Sequence, residues 1–241
     1  MKKLKEIFFV LMARVESERV SNKMLREFAG TSLWEVACEK FSKTKNIPEF
    51  YVSVRNDRLK EIGEKYGAKI WRRSEESTCE PNTPSGVLDW YNFALENGYK
   101  YFVYMNPSCS SLTSVSKIEN FIETFISSKN ESLFSVFKKQ NFCWTIEDKK
   151  INTLTKFSGT EEEKATLESK LVQTRFESAN LFYAGLIDNI KKNKTFGNWT
   201  EEGDPEFFIV DLIEAFDIDE MDQFLLAEYM YRLKNERIKH V

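Results

Sequence analysis

The chain has 241 residues and a formal net charge of −3, with 41% apolar and 30% charged residues. These values are ordinary for one soluble domain, and they exclude a general nucleic-acid surface, which would need a basic excess. The apolar runs are too short to span a bilayer or to form a secretory signal, so we expect a cytoplasmic protein without membrane insertion.

The hydrophobic pattern of the first 137 residues alternates between the periods of strands and helices. It predicts strands over 7–13, 50–54, 68–71, 101–105 and 132–137, and helices over 33–41, 57–66, 87–95 and 115–127. Gly67 is expected to end the second helix, and Thr83 with Pro84 to begin the third. This alternation predicts an α/β fold: a Rossmann-like, mostly parallel sheet with helices on both faces.

The pattern weakens in the second half of the chain. Residues 138–170 are polar and are interpreted as an excursion or arm. The strand period returns over 179–184 and 207–210, and a long helix is predicted over 220–237. Neither a linker nor an internal repeat interrupts the sequence, so residues 1–241 are expected to form a single domain.

Cysteine and histidine usage limits the chemistry. The four cysteines lie far apart without a Cys-x-x-Cys pair, which excludes a zinc ribbon and indicates free thiols in a reducing compartment. The single histidine, His240, is the penultimate residue, so a Ser-His-Asp triad or Cys-His dyad is excluded. Catalysis must therefore use carboxylates, amines, guanidinium groups or a metal held by oxygen ligands.

A cationic loop directly follows the first predicted strand. It carries Arg14, Arg19 and Lys23. Cations in this position could neutralise a triphosphate, which carries about four negative charges, and stabilise the charge that grows in its transition state. The alternative is a solvated loop whose cations pair with Glu16 and Glu18.

Two carboxylates alternate near the C-terminus, at Asp217 and Asp219. Alternate residues of an extended segment project to the same side, so both could face one cation. Mg²⁺ prefers one or two carboxylates together with phosphate oxygens. The alternative is that Asp219 is the N-cap of the last helix and Asp217 is a surface charge.

Two further strand ends carry polar groups. Arg72 and Arg73 close a predicted strand and could contact a base or a phosphate, or form ion pairs with Glu75 or Glu76. Asn106 opens a turn after the fourth strand. Ligands of open α/β sheets bind at the carboxyl ends of strands, which favours ligand contact over a simple turn.

The order of these motifs resembles the CMP-sugar synthetases, the cytidylyltransferases for sialic acid, its nonulosonic relatives and Kdo. The resemblance spans residues 7–228. Its motifs are the segment 11–33 with Arg14, Ser17 and Lys23, the helix start Ser85-Gly86, the turn 106–113, and the segment 216–228 with Asp217-Ile218-Asp219. It implies the nucleotide-diphospho-sugar transferase type of α/β fold.

The resemblance also implies an activity: transfer of CMP from CTP to an acidic sugar or related acceptor, with release of pyrophosphate, in surface polysaccharide biosynthesis. It implies Mg²⁺ held by Asp217 and Asp219. The residues expected to bind the nucleotide are Ala13, Arg14, Ser17, Arg19, Lys23, Arg72, Ser85 and Asn106, with Arg72 and Ser85 near the cytidine. The residues expected to act in catalysis are Arg14, Lys23 and Asp219.

The excursion, at about 138–178, lies where sialic-acid synthetases have a dimerisation arm, which predicts a homodimer. The sequence departs from the family at Val15-Glu16, Met24, Leu112 and 176–183, and the last difference predicts an acceptor other than sialic acid. Two alternatives stay open. One is a nucleotide-sugar-dependent glycosyltransferase, and the other is a nucleotide-binding relative without turnover.

Overall fold

The computed structural model describes residues 2–17, 19–78, 84–164, 168–192 and 205–239. The predicted N-cap Thr83 and the histidine His240 lie outside these ranges. The strands are β1 (Ile7–Met12), β2 (Glu27–Phe28), β3 (Thr31–Ser32), β4 (Tyr51–Val54), β5 (Lys69–Arg72), β6 (Tyr101–Met105), β7 (Ser132–Lys139), β8 (Trp144–Glu147), β9 (Lys150–Thr153), β10 (Arg175–Leu186) and β11 (Glu206–Ile209). The helices are α1 (Leu33–Ser42), α2 (Asp57–Lys65), α3 (Pro84–Glu96), α4 (Val115–Ser127), α5 (Glu161–Lys164) and α6 (Met221–Lys239).

Seven strands form one mixed sheet in the order β11-β7-β10-β6-β1-β4-β5. Every neighbouring pair is parallel except the two that involve β10, which runs antiparallel to both β6 and β7. The predicted fold class, a mostly parallel α/β sheet, is therefore confirmed. Among the described helices, none combines the length and the apolar character needed to cross a membrane.

Strand β1 shows why helices cover both faces of the sheet. All its residues from Ile7 to Leu11 are buried, and successive side chains point to opposite faces. Phe9 belongs to the larger core, which includes residues of α1, α2, α4 and α6, whereas Phe8 packs on the other face with Trp90 of α3. A strand buried on both faces is typical of a parallel sheet.

The helix ends follow ordinary capping rules. The side chains of Ser32, Asn56 and Ser114 accept backbone N–H hydrogen bonds at the starts of α1, α2 and α4. Gly67 has a φ of +80°, which lets the chain turn out of α2 as the sequence predicted.

The structure adds two hairpins that the hydrophobic pattern did not predict. Strands β2 and β3 are joined by Ala29 and Gly30, both with positive φ, as a two-residue hairpin of the primed type requires. Strands β8 and β9 pair within the excursion. The strand predicted over 179–184 extends to Arg175–Leu186, so the two ends of the excursion, residues 138–139 and 175–178, continue the pairing of β7 with β10.

The ammonium group of Lys2 ties the N-terminal segment to the end of α4. Its Nζ donates to the carbonyl oxygens of Phe125, Ser128 and Asn130 at 3.1, 2.8 and 2.9 Å. It also lies 4.5 Å from the centroid of the Phe125 ring. A cation is favourable there because the last carbonyl groups of a helix lack intrahelical partners.

We expect Lys2→Met to lower the free energy of unfolding by about 2 kcal/mol, because it leaves buried carbonyl groups without their charged donor. Urea denaturation followed by circular dichroism measures this loss. The exposed Lys5 provides the control, and Lys5→Met should change stability by less than about 0.5 kcal/mol. Equal losses in the two variants would contradict the assigned role of Lys2.

Candidate active site

The candidate site lies at the edge of the sheet where β1, β4, β5 and β6 end. Because these four strands are parallel, their carboxyl ends meet at one edge, which is where open α/β sheets bind ligands. Ala13 leaves β1 at this edge, is buried, and donates its N–H to the carbonyl of Ser53 at 3.3 Å. The cationic loop therefore starts from a fixed point of the sheet.

The cationic loop contacts the C-terminal acidic segment directly. Nη2 of Arg19 lies 2.7 Å from Oδ1 of Asp219, and Nζ of Lys23 lies 3.4 Å from the same oxygen. Nζ of Lys23 also donates to the carbonyl of Ile218 at 2.5 Å. The amide groups of Asp219 and Glu220 donate to the side chain of Gln223, and α6 begins at Met221, so Asp219 lies one residue before the N-cap position that one alternative gave it.

Asp217 faces a different set of groups from Asp219. Nδ2 of Asn180 lies 3.5 Å from Oδ2 of Asp217, and Oδ1 of Asn180 accepts a hydrogen bond from the hydroxyl of Tyr183 at 2.7 Å. Burial raises the pKa of the Cys109 thiol well above its ordinary value, and the neighbouring Asp217 raises it further. Asp217 is thus surrounded by neutral hydrogen-bonding groups, with Ile218 buried between the two carboxylates.

Arginine side chains converge on the other side of this edge. Burial lowers the pKa of Arg73, and the positive charge of nearby Arg14 lowers it further, against the opposing effect of Tyr104. Arg73 donates from Nε to the hydroxyl of Ser77 at 2.8 Å and from Nη2 to its carbonyl. Like charges held close together in a partly buried place attract an anion, so this pair is suited to a phosphate group.

The structure brings some predicted site residues together and places others apart. Arg19 and Lys23 contact Asp219 directly, Asp217 lies two residues away and contacts Asn180, and the charge of Arg14 acts on Arg73. This group of predicted site residues is called the cluster.

The other predicted residues lie at the border of this cluster. Arg72 is exposed and lies 3.8 Å from Asp57, while Glu75 pairs with Arg55, so neither predicted ion pair with Glu75 or Glu76 forms at Arg72. Ser17 is half-buried, and Asn106 accepts hydrogen bonds from the N–H and hydroxyl of Ser108. Ser85 lies in the first turn of α3, but its side chain is outside the described part.

Three residues near the cluster were not named as site residues from the sequence: Cys109, Asn180 and Tyr183. The strand register could have identified one of them. Tyr183 lies opposite Tyr104 across the β10–β6 pair, with ring centroids 6.1 Å apart. Asn180 has a φ of +52° where the β10–β7 register shifts, and such bulges re-aim side chains next to active sites.

The donor groups limit which metal the cluster can hold. Within the described ranges, no group of three or more His, Cys, Asp or Glu side chains could hold a metal ion. Asp217 and Asp219 supply two carboxylates, which suits a hard cation that completes its coordination with phosphate oxygens and water. The chemistry of these donors therefore fits Mg²⁺ delivered with a nucleotide.

Three solved structures share the fold along nearly the whole chain. CMP:2-keto-3-deoxy-manno-octonic acid synthetase complexed with CTP has a TM-score of 0.63 at 9% identity, covering 95% of this chain and 99% of its own. The 4-diphosphocytidyl-2C-methyl-D-erythritol synthase of Anaerococcus prevotii has a TM-score of 0.62 at 15% identity, covering 94% of this chain and 96% of its own. A cytidylyltransferase of Leptospira borgpetersenii has a TM-score of 0.60 at 14% identity, covering 98% of this chain and 94% of its own. At these identities the likeness establishes the fold alone.

Sequence comparison establishes the family. The sequence model of the family described as cytidylyltransferase matches residues 8–183, well over half of the chain. The matched range begins in β1 and includes the cationic loop, the Arg73 region and the bulge of β10. It confirms the resemblance to the CMP-sugar synthetases at the level of the family and disfavours the glycosyltransferase alternative. The chain therefore belongs to the cytidylyltransferase family, and it is a CTP-dependent nucleotidyltransferase.

Proposed function

We propose that this enzyme transfers CMP from CTP to a hydroxyl group of an acidic sugar or related acceptor, in a Mg²⁺-dependent reaction that releases pyrophosphate. The proposed setting is surface polysaccharide or glycoconjugate biosynthesis in the cytoplasm. The acceptor class and the setting rest on the resemblance to the CMP-sugar synthetases. Buried free thiols at Cys38 and Cys109 support a reducing compartment.

One observation carries the proposal: the contact of Lys23 and Arg19 with Asp219. It joins residues that are 196 and 200 positions apart in the chain, so the cationic loop and the acidic segment are in direct contact. In the reaction, Arg14, Arg19 and Lys23 would bind the phosphate oxygens of CTP, with Arg73 close by. These cations would neutralise the charge that develops as the acceptor oxygen attacks the α-phosphorus and pyrophosphate leaves.

Asp217 and Asp219 would hold the magnesium ion. When bound, Mg²⁺ would neutralise phosphate charge and orient the reacting groups. The contact between Arg19 and Asp219 involves side chains that are 57% and 33% exposed, and such pairs contribute only about 0–1 kcal/mol. Arg19 can therefore release Asp219 at low cost when phosphate oxygens become available.

The acceptor would lie against β10, beside Asp217. The bulge there presents Asn180 and the hydroxyl of Tyr183 toward Asp217, and this stretch departs from the family pattern. Amide and hydroxyl groups can hydrogen-bond the hydroxyl groups of a sugar. This placement supports an acceptor other than sialic acid.

We expect Asp219→Ala and Lys23→Ala each to lower kcat at least about a hundredfold, the scale of a lost charge-stabilising group, while the fold survives. Pyrophosphate release with CTP and a panel of acidic sugars measures the effect, and circular dichroism checks the fold.

Asp222, exposed in the first turn of α6, is the matched control, and Asp222→Ala should keep near-normal turnover. Activity close to wild type in both site variants would contradict the assignment. Release of a nucleoside mono- or diphosphate from a nucleotide sugar would favour a glycosyltransferase, and CTP binding without turnover would favour an inactive relative.

Removal of divalent metal is expected to lower turnover at least about a hundredfold, with recovery on addition of Mg²⁺. Mg²⁺ should also increase the rise in melting temperature that CTP causes in the wild type, because a ligand that binds only the native state stabilises it. Asp217→Asn should lose most of this increase, while Asp211→Asn, an exposed acid of the preceding turn, should keep it. An unchanged magnesium effect in Asp217→Asn would exclude Asp217 as a ligand.

We further propose a homodimer formed through the arm at about 138–178. The β8–β9 hairpin of this arm exposes Trp144, Ile146 and Ile151 by 56%, 74% and 70%, and Ile146 lies directly opposite Ile151. Neighbouring exposed apolar side chains mark interaction surfaces in soluble proteins. A second copy of the chain would cover this face.

Light scattering tests this proposal. The wild type should have twice the mass of the chain, and the double variant Ile146→Lys/Ile151→Lys should have the mass of a monomer, because a charge buried in an apolar interface is costly. Ile213, which is 60% exposed outside the arm, gives the control Ile213→Lys, expected to stay dimeric. A monomeric wild type, or a dimeric double variant, would refute the arm as the interface.

A further inference from the structure

A buried loop connects the candidate site to Lys40 of α1. This loop, residues 106–113 between β6 and α4, is called the 106–113 loop. Its second half is almost completely buried, with Ser110, Ser111 and Leu112 at most 3% exposed. Nζ of Lys40 donates to the carbonyl groups of Ser110 and Ser111 at 2.7 and 2.6 Å. Nζ of Lys234 donates to the next carbonyl, that of Leu112, at 2.7 Å.

The ammonium group of Lys40 is in an unfavourable environment for a charge. Lys40 as a residue is half-buried, but its ammonium is buried and lies 5.9 Å from the centroid of the Tyr231 ring. Burial lowers the pKa of Lys40 to about 7, Lys234 lowers it further, and Glu39 raises it. Because the unfolded chain binds the proton more tightly, this group makes stability rise as pH increases from about 7 toward the ordinary lysine pKa of about 10.4.

The first half of the same loop contacts the candidate site. The N–H of Asn106 donates to the carbonyl of Leu181 at 2.8 Å, next to Asn180. Nδ2 of Asn180 in turn lies 3.5 Å from Oδ2 of Asp217, so the loop is connected to Asp217 through the backbone of Leu181 and Asn180. The loop is also closed on itself, since the N–H groups of Cys109 and Thr113 donate to the carbonyls of Asn106 and Ser110. A displacement at Ser110 and Ser111 would therefore be transmitted to Cys109.

We propose that Lys40 is a positioning residue for CMP transfer: it fixes the carbonyl groups of Ser110 and Ser111 and thereby holds the first half of the loop, through Asn106, against the β10 backbone beside Asn180 and Asp217. This proposal builds on the proposed function but makes its own structural claim. A charged donor that makes two hydrogen bonds offsets the cost of burying its charge only when those bonds are retained. Lys234 supports the same loop from α6.

Thiol labelling tests the structural claim without any assay of activity. N-ethylmaleimide labelling at mildly acidic pH, below the pKa of Lys40 so that its ammonium is charged, follows Cys109 and Cys38, both fully buried, and is quantified by peptide mass spectrometry. Lys40→Met should raise the labelling rate of Cys109 at least about tenfold, equivalent to about 1.4 kcal/mol of lost loop stability. Cys38, which lies on the same helix as Lys40, should change less than about twofold and reports general loosening.

Kinetics tests the functional claim. Lys40→Met should lower kcat by about 10- to 100-fold, the cost of a small misplacement at the reacting centre, with little change in the stabilisation by CTP. Lys40→Arg keeps a charged donor and should recover most of kcat. Lys43→Met, which removes an exposed lysine paired with Glu39, should behave as wild type in both measurements.

An equal rise in the labelling rates of Cys38 and Cys109 in Lys40→Met, relative to the wild type, would overturn the proposal. An unchanged labelling rate of Cys109 would also overturn it. Faster labelling of Cys109 with an unchanged kcat would also overturn it, because the loop position would then not matter for transfer. If the wild type transferred no CMP, the proposed function would fail, whereas the labelling result would still report whether Lys40 holds the loop.

Discussion

The architecture of the site depends on one contact, that of Lys23 with the Ile218–Asp219 segment. The lysine ammonium bonds both a backbone carbonyl and a carboxylate, so it fixes the position of the segment as well as compensating its charge. The side chain of Lys23 is only 14% exposed, so this interaction is screened less by solvent and salt than the Arg19 pair beside it. Without this contact, the loop after β1 and the segment before α6 would be linked by the more exposed pairs of Arg19 with Asp219 and Glu220.

The charges around this contact are arranged in two zones. The charge of Arg14 lowers the pKa of Arg73, whereas Asp217 lies 3.5 Å from the neutral amide group of Asn180. Repulsion between arginine side chains lowers stability, and an arriving phosphate group would relieve it. The cationic zone therefore favours phosphate oxygens, and the zone around Asp217 is where neutral hydrogen-bonding groups of a second substrate could approach.

Most of the fold was predictable because β1, β4 and β6 carry strong apolar patterns. The direction of β10 was not predicted, because strand direction depends on the connection that precedes it. A parallel connection needs a crossover of a dozen residues or more that is usually an α-helix, whereas the segment between β7 and β10 carries the β8–β9 hairpin and, in its described part, the short α5. The absence of a helical period over 138–170 was thus the available sign that β10 returns antiparallel to β7. The β2–β3 hairpin was missed because Ala29-Gly30 is not the usual Asn-Gly or Asp-Gly turn.

The site was predictable to a smaller extent, since a sequence identifies charged residues but not their partners. The hydrophobic pattern places Arg14 and Lys23 after the first strand and Asp219 before the last helix, so their positions were predictable. By contrast, the start of α6 at Met221 places Asp219 before the N-cap position, where its carboxylate contacts Arg19 and Lys23. The same holds for Lys40, which an amphipathic pattern places on an ordinary helix. Its importance arises from the carbonyl groups of a loop 70 residues away, which only the folded chain brings within reach.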